Sequence, residues 1–182
     1  MIFEETSLPG SFIIHIEPIE DERGFFSRVF CTEEFLKKGL NAHWAQINNS
    51  FSKNRGTLRG PHIQSEPHEE VKLVRCIKGR VWDVIIDLRQ DSNSFGEWYG
   101  AILDSRERKM IYIPKGFAHA VLSMSNESEI IYLTSTPYSN EHEVCLLWND
   151  PDIGIKWPVT PQVMSEKESL GITLSDYKIS NN

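Results

Sequence analysis

The sequence predicts an all-β domain, a sandwich or barrel of many short strands. Three observations carry this. Apolar and polar residues alternate in many short β-rich segments. Turn residues separate these segments at regular spacing, and the strand–helix–strand alternation of a dinucleotide-binding fold is missing. At 182 residues the chain suits one domain with an ordinary core. No internal repeat, low-complexity run or Pro/Gly/Ser-rich linker divides it, so residues 1–182 are expected to form a single domain with a short C-terminal tail.

Ser11 to Glu17 reads as a strand, as does Phe25 to Phe30. Thr32 to Lys38 is the early helix. Thr32 can cap it, Glu33 and Glu34 suit its positive N-terminal end, and Gly39 can stop it. Trp44 to Phe51 is extended. Val71 to Ile77 and Val81 to Arg89 read as a hairpin joined through Lys78-Gly79. In the second arm Trp82, Val84, Ile86 and Leu88 share one face, and Val81, Asp83, Ile85, Asp87 and Arg89 share the other. The first face packs into a core; the mixed face meets solvent or a polar cavity. Trp98 to Leu103, Met110 to Ile113, His119 to Met124 and Glu129 to Thr134 continue the strand series. A short helix near Ser165 to Leu170 is expected to close the ordered part.

Composition narrows the function. The formal charge is −7, from 19 Lys plus Arg against 26 Asp plus Glu. That balance argues against general nucleic-acid binding, which needs many cations to replace phosphate counterions. No stretch approaches the roughly 18 apolar residues of a membrane span. The N-terminus has no basic flank before an apolar run, so no secretory signal is expected. Cys31, Cys76 and Cys145 are far apart and odd in number, which fits a reducing cytoplasm and buried thiols. G-x-G-x-x-G, P-loop and G-x-S-x-G motifs are absent from the sequence, which removes the usual phosphate cradles and the hydrolase elbow.

Two polar clusters stand out. One is Leu58-Arg59-Gly60-Pro61-His62-Ile63-Gln64, with Lys72 on the next strand. The other is Ile113-Pro114-Lys115-Gly116-Phe117-Ala118-His119, followed by Tyr132. The second holds P-x-G-x-x-H, which resembles a cupin motif whose histidine points into a small β-barrel. His62, Glu69 and His119 are metal-ligand types, but no H-x-H pair accompanies them, so a metal-free site is expected.

A closer resemblance covers about residues 10 to 170. Asp21-Glu22-Arg23-Gly24-Phe25-Phe26, the two clusters above, Lys72-Leu73-Val74-Arg75 and Asp83-Val84-Ile85-Ile86-Asp87-Leu88-Arg89 all contribute. So do Ser94-Phe95-Gly96-Glu97-Trp98, the run from Trp148 to Pro158, and Ser165-Glu166-Lys167-Glu168. In order and spacing these resemble the dTDP-4-dehydrorhamnose 3,5-epimerase family. The resemblance implies a cupin-type jelly-roll barrel, no metal or organic cofactor, and inversion of carbons beside the C4 ketone of a nucleotide-linked 6-deoxyhexose. It also implies a place in deoxysugar or surface-polysaccharide biosynthesis. A homodimer with exchanged N-terminal strands is implied too, with Ser11 to Glu17 as the candidate.

The chemistry fits the residues. A proton beside a ketone needs a base near neutrality, a cation or donor for the enolate, and an acid on the opposite face. By family position His62 is the base, Lys72 holds the C4 oxygen, and Tyr132 returns a proton from the other side. Lys72, Val74 and Cys76 share one strand face, as do Ile130, Tyr132 and Thr134, so both reactive side chains can point inward. Glu168 stands where the family has an aspartate that orients the histidine. Arg23 and Arg59 are the candidates for the diphosphate. Phe26, Gln46 and Asn48 match family positions around the nucleotide base, and His119, Tyr138 and Glu143 match other pocket positions.

Some residues depart from the family pattern. Pro61 replaces a leucine before His62, Arg28 replaces a glutamate, and Ile47 and Asn49 replace an aspartate and a histidine. These bear on the nucleotide and on whether one carbon or two are inverted. A single-site epimerase acting on a related sugar, including a CDP-sugar, is the nearest alternative. A non-catalytic sugar-nucleotide-binding cupin and a metal-dependent cupin are the others.

Overall fold

A computed structural model describes residues 1–180. Thirteen strands and three short helices follow one another. They are β1 (Ile2–Glu5), β2 (Phe12–His15), β3 (Ile19–Asp21), β4 (Gly24–Phe26), α1 (Thr32–Lys37), β5 (Gln46–Ser52), β6 (Leu58–Gln64) and β7 (Lys72–Lys78). Then come β8 (Arg80–Asp87), β9 (Trp98–Asp104), β10 (Lys109–Ile113), β11 (Phe117–Ser123), β12 (Ser128–Thr134), β13 (Glu143–Cys145), α2 (Glu166–Ser169) and α3 (Leu174–Ser180). The strands form a six-stranded sheet, β1-β2-β10-β7-β12-β5, and a five-stranded sheet, β13-β6-β11-β8-β9. A separate two-stranded hairpin joins β3 to β4. The all-β expectation is met.

The two large sheets face each other across one apolar core. Ile13, Val74, Cys76, Ile111, Ile113 and Ile130 enter it from the six-stranded sheet; Val81, Ile85, Leu103, Phe117 and Val121 enter from the other. Each fully buried side chain of this size contributes about 1.5–3 kcal/mol of apolar burial. The outer faces are covered as well. Leu58, Val84, Ile86 and Leu122 lie under Leu146, Ile153 and Tyr177 of the C-terminal segment. Ile14, Leu73, Met110 and Tyr112 lie under Phe35 of α1.

Several expectations are corrected. The segments Val71 to Ile77 and Val81 to Arg89 are strands but not a hairpin. β7 bonds to β10 and β12, and β8 bonds to β9 and β11. Lys78-Gly79 is therefore a corner between sheets, with Gly79 at φ +72°. Alternation identifies a strand but not its partner, and here the two strands present Val74 and Ile85 to one core from opposite sides. The strand expected over Phe25 to Phe30 ends at Phe26. Cys31, not Thr32, takes the N-cap position of α1, without a side-chain cap. Glu34 instead accepts a hydrogen bond from the N-terminal ammonium at 2.9 Å. The chain beyond Leu170 is not a plain tail. Tyr177 of α3 is buried, and Thr173 and Asp176 bond reciprocally at the start of that helix.

Candidate active site

His62 sits on β6, opposite His119 of β11 and Cys145 of β13. The register with β11 shifts here: His119 pairs with His62, yet Val121 pairs with Arg59. One extra residue on β6 makes a β-bulge at Gly60-Pro61. On a regular strand, residues three apart point to opposite faces. The bulge reverses the alternation between them, and both Arg59 and His62 line the same cavity. Gly60 is required. Its φ is +88°, and a Cβ there would run into the His119 carbonyl. Pro61 lacks an N–H, and the bulge asks for none; its carbonyl accepts Leu146 N–H at 2.9 Å.

The opposite wall is regular around its reactive residues, and its β7–β12 register shifts only beyond them, between Glu129 and Ile130. Lys72 opens β7, paired with Ile113 and Thr134. Tyr132 lies in β12 between Val74 and Asn48. The alternation expected for both strands holds, since Val74, Cys76 and Ile130 enter the core while Lys72 and Tyr132 line the cavity. The cavity has two lobes that share His62, Lys72 and Tyr132. One lobe, of about 220 Å³, adds Ser50, Arg59, His119 and Glu168. The other, of about 380 Å³, adds Gln46, Asn48, Glu70, Tyr138 and Glu143.

Glu168 reaches this site from α2 through a capping box. Its Oε2 accepts the backbone N–H of Ser165 at 2.9 Å and also the Ser165 hydroxyl. Its Oε1 accepts Gly60 N–H at 3.3 Å and lies 3.2 Å from His62 Nε2. That last pair is close but not aligned as a hydrogen bond. On the other side of the ring, Glu143 Oε1 lies 3.5 Å from His62 Nδ1. Glu143 Oε2 also accepts the Tyr138 hydroxyl at 2.8 Å and contacts the Lys167 ammonium.

The electrostatics sort the groups. Burial lowers the pKa of His62; Glu168 opposes this, while Lys72, Lys167 and His119 reinforce it. The imidazole is therefore neutral at pH 7 and able to accept a proton. Burial alone would raise Glu168, but the Ser165 hydroxyl, Gly60 N–H and His62 outweigh it and hold the carboxyl below its usual value. Burial and Glu70 raise Tyr132, with Arg59 opposing, so the phenol keeps its proton. His119 Nε2 lies 3.0 Å from both oxygens of Asp83, which is fully buried. Asp83 accepts only, so it fixes the ring hydrogen on Nε2. The mixed face of β8 is therefore divided: Asp83 reaches the cavity residue His119, whereas Val81 and Ile85 enter the core between the sheets.

Sequence-based candidates divide into two groups. His62, Lys72, Tyr132, Glu168, Arg59, His119, Gln46, Asn48, Tyr138 and Glu143 all line the cavity. Arg23 and Phe26 do not. They lie on the β3–β4 hairpin, where Phe26 is 70% exposed and Arg23 pairs with Asp21. The hairpin bonds only to itself in sheet terms, so family position alone does not bring these two to the cavity of the same chain. Arg28 approaches Glu34 of α1 at 3.6 Å, not the cavity. Ser50 and Glu70 escaped sequence reasoning. Ser50 shares the strand face of Gln46 and Asn48, and Glu70 precedes Lys72 by two, so alternation contained both.

Comparison with known proteins shows the family. The family model for dTDP-4-dehydrorhamnose 3,5-epimerase matches residues 5–176. The chain belongs to that family. It is 43% identical to the dTDP-4-dehydrorhamnose 3,5-epimerase of Methanothermobacter thermautotrophicus, over 91% of this chain and 90% of the relative. The crystal structure of the Elizabethkingia anophelis dTDP-4-dehydrorhamnose 3,5-epimerase superposes with a TM-score of 0.93 at 37% identity, covering 97% of each chain. The 3'-monoepimerase ChmJ of Streptomyces bikiniensis, solved with dTDP-quinovose, superposes with a TM-score of 0.91 at 29% identity, over 98% of this chain and 90% of the other. The fold is the cupin-type jelly roll of this epimerase family, and the chain is an isomerase. No helix among the described residues is long and apolar enough to cross a membrane.

Proposed function

We propose that this epimerase inverts C3 and C5 of dTDP-4-dehydro-6-deoxyglucose, giving dTDP-4-dehydro-L-rhamnose, with His62 as base and Tyr132 as acid. The observation that carries this reading is the placement of a neutral imidazole and a protonated phenol on facing sheets, with Lys72 lining the same cavity. His62 takes the proton from the carbon beside the ketone, and the electron pair moves onto the C4 oxygen. The Lys72 ammonium stabilises that enolate. Tyr132 then gives a proton to the opposite face of the same carbon, which inverts it. Imidazolium and phenolate return to their starting forms by exchange with water. Arg59 and Ser50 suit the diphosphate; Gln46, Asn48 and Tyr138 suit the nucleoside.

A second reading is inversion at one carbon only. The similarity to the 3'-monoepimerase ChmJ supports it, because the fold is common to both. Proton NMR of the protein with dTDP-4-dehydro-6-deoxyglucose in deuterated water separates the two. Loss of both C3 and C5 signals is the expected result. Loss of one assigns the single-site enzyme. No loss, with ligand still bound, overturns the catalytic reading for this nucleotide and moves the test to the CDP-sugar.

The reading includes a cytoplasmic homodimer in which the N-terminal segment is exchanged. In the single chain, β2 lies in its own sheet between β1 and β10, close to the sheet edge. The neighbouring hairpin exposes Ile19 and Phe26. Light scattering is expected to give a dimer, and truncation before residue 18 is expected to dissociate it.

A further inference from the structure

We propose that Glu70 is a positioning residue for the reaction, holding the Lys72 ammonium at its station in the lobe of the cavity that Tyr132 also lines. The inference rests on the roles given above to Lys72 and Tyr132. Glu70 Oε1 is 3.1 Å from Lys72 Nζ, and each side chain is 10% exposed. Glu70, Lys72 and Tyr132 line the same lobe of the cavity.

The backbone that delivers Glu70 is tied to the end of β12, the strand that carries Tyr132. Thr136 Oγ1 donates to the Glu69 carbonyl at 2.8 Å. Val71 N–H donates to Ser135 Oγ at 2.8 Å, and Ser135 N–H donates to the Val71 carbonyl at 3.0 Å. The carboxylate therefore approaches Lys72 from a fixed backbone.

The chemistry needs such a group. A lysine ends in a point charge on a flexible four-carbon stem, and catalysis by charge depends on where that charge sits. A fixed carboxylate beside Nζ restricts the stem before substrate arrives. The same carboxylate disfavours ionisation of Tyr132, so the phenol holds its proton for delivery. The other charged groups at the cavity have separate partners. Glu168 is engaged with Ser165, Gly60 and His62, and Glu143 with Tyr138 and Lys167. Arg59 donates to the Phe51 carbonyl at 3.1 Å and opposes Glu70 at Tyr132.

The test is the pH profile of kcat and KM for Glu70→Gln and Glu70→Asp beside the unaltered enzyme. Glu70→Gln is expected to lower kcat roughly tenfold with KM little changed. It is also expected to move the alkaline limb to lower pH, because Tyr132 loses the charge that opposed its ionisation. Glu70→Asp keeps the charge and leaves that limb in place, while its shorter arm lowers kcat several-fold. A merely structural role would not separate the two variants in this way. An unaltered kcat and alkaline limb in Glu70→Gln would overturn the proposal. If Glu70→Gln does not fold, an unaltered kcat in Glu70→Asp overturns it equally. Lys72→Met, measured in parallel, tests the underlying reading: full turnover there removes Lys72 from the chemistry irrespective of Glu70.

Discussion

The wall that carries Lys72 and Tyr132 is regular antiparallel sheet around both residues, its β7–β12 register shifting farther along, between Glu129 and Ile130, whereas the wall that carries His62 is bulged beside the reactive residue and braced from outside. Lys72 and Tyr132 owe their direction to strand period alone, each registered against two neighbours. His62 owes its direction to Gly60, to the extra residue in β6, and to a glutamate 108 residues beyond Gly60. A regular wall tolerates exchange of a side chain without losing shape. A bulged wall links the position of its reactive group to the fold itself.

The largest contrast comes from removing the two proton-transfer groups. His62→Ala deletes the base and is expected to abolish solvent exchange at both carbons, a loss of roughly 10³-fold. Deuterium wash-in by NMR measures it, and near-normal turnover would take His62 out of the mechanism. Tyr132→Phe removes only the acid on the regular wall. Deuterium wash-in should persist in part while inverted product falls by about 10²-fold, because protons return from the face they left. Equal loss of exchange and product would mean that Tyr132 does more than reprotonate.

Gly60→Ala attacks the bulge without touching a reactive atom. The φ of +88° and the contact with the His119 carbonyl together should cost about 2–3 kcal/mol of stability. Denaturant unfolding measures this. An Ala substitution in the regular wall, at the outward-facing Ile131, should cost much less.

The same contrast explains what could be read in advance. Strand period placed Lys72 and Tyr132 inward, and it located most of the strands, but not β1, β3, β13 or β6, the strand that carries His62. It could not pair β7 with β10 and β12, because partners are chosen by the packing of whole sheets. Nor could it bring Arg59 and His62 to one face, since a bulge is a defect in the period that alternation assumes. Those two came from family position, as did Glu168. Family position also named Arg23 and Phe26, which sit on a hairpin that a single chain leaves outside its own cavity. The helix α3, where a tail is expected, carries a local signal in Thr173 and Asp176 at capping spacing.

Glu168→Gln weakens the brace while leaving its reach. Burial holds the His62 pKa below the ordinary imidazole value, and the Glu168 charge partly offsets that. A neutral amide removes the offset, so the pKa falls further. His62 must be unprotonated to act as base, so activity is lost as pH falls through its pKa. The acidic limb of kcat/KM should therefore move to lower pH in the variant. The plateau should fall about tenfold, because the base is weaker. An acidic limb that moves upward would contradict the sign of this coupling.

Ser165→Ala makes the smallest change and isolates the cap from the base. The hydroxyl donates to Glu168 Oε2, one of the interactions that hold this carboxyl below its usual pKa. Its loss should cost about 1 kcal/mol, as for other N-caps. The sign with pH follows from Glu168. A carboxyl with a depressed folded pKa adds stability above its unfolded value, and that stability is lost as pH falls through the folded pKa. The destabilisation by Ser165→Ala should accordingly be full near neutrality and shrink in acid. Glu168 keeps the backbone N–H groups of Ser165 and Gly60, so kcat should change less than threefold by rough expectation from a single lost hydrogen bond. Thermal unfolding at several pH values, with kcat measured alongside, separates these effects. A large fall in kcat with little change in stability would show that the Ser165 hydroxyl aims Glu168 at His62, and that the bulged wall depends on its cap as much as on its glycine.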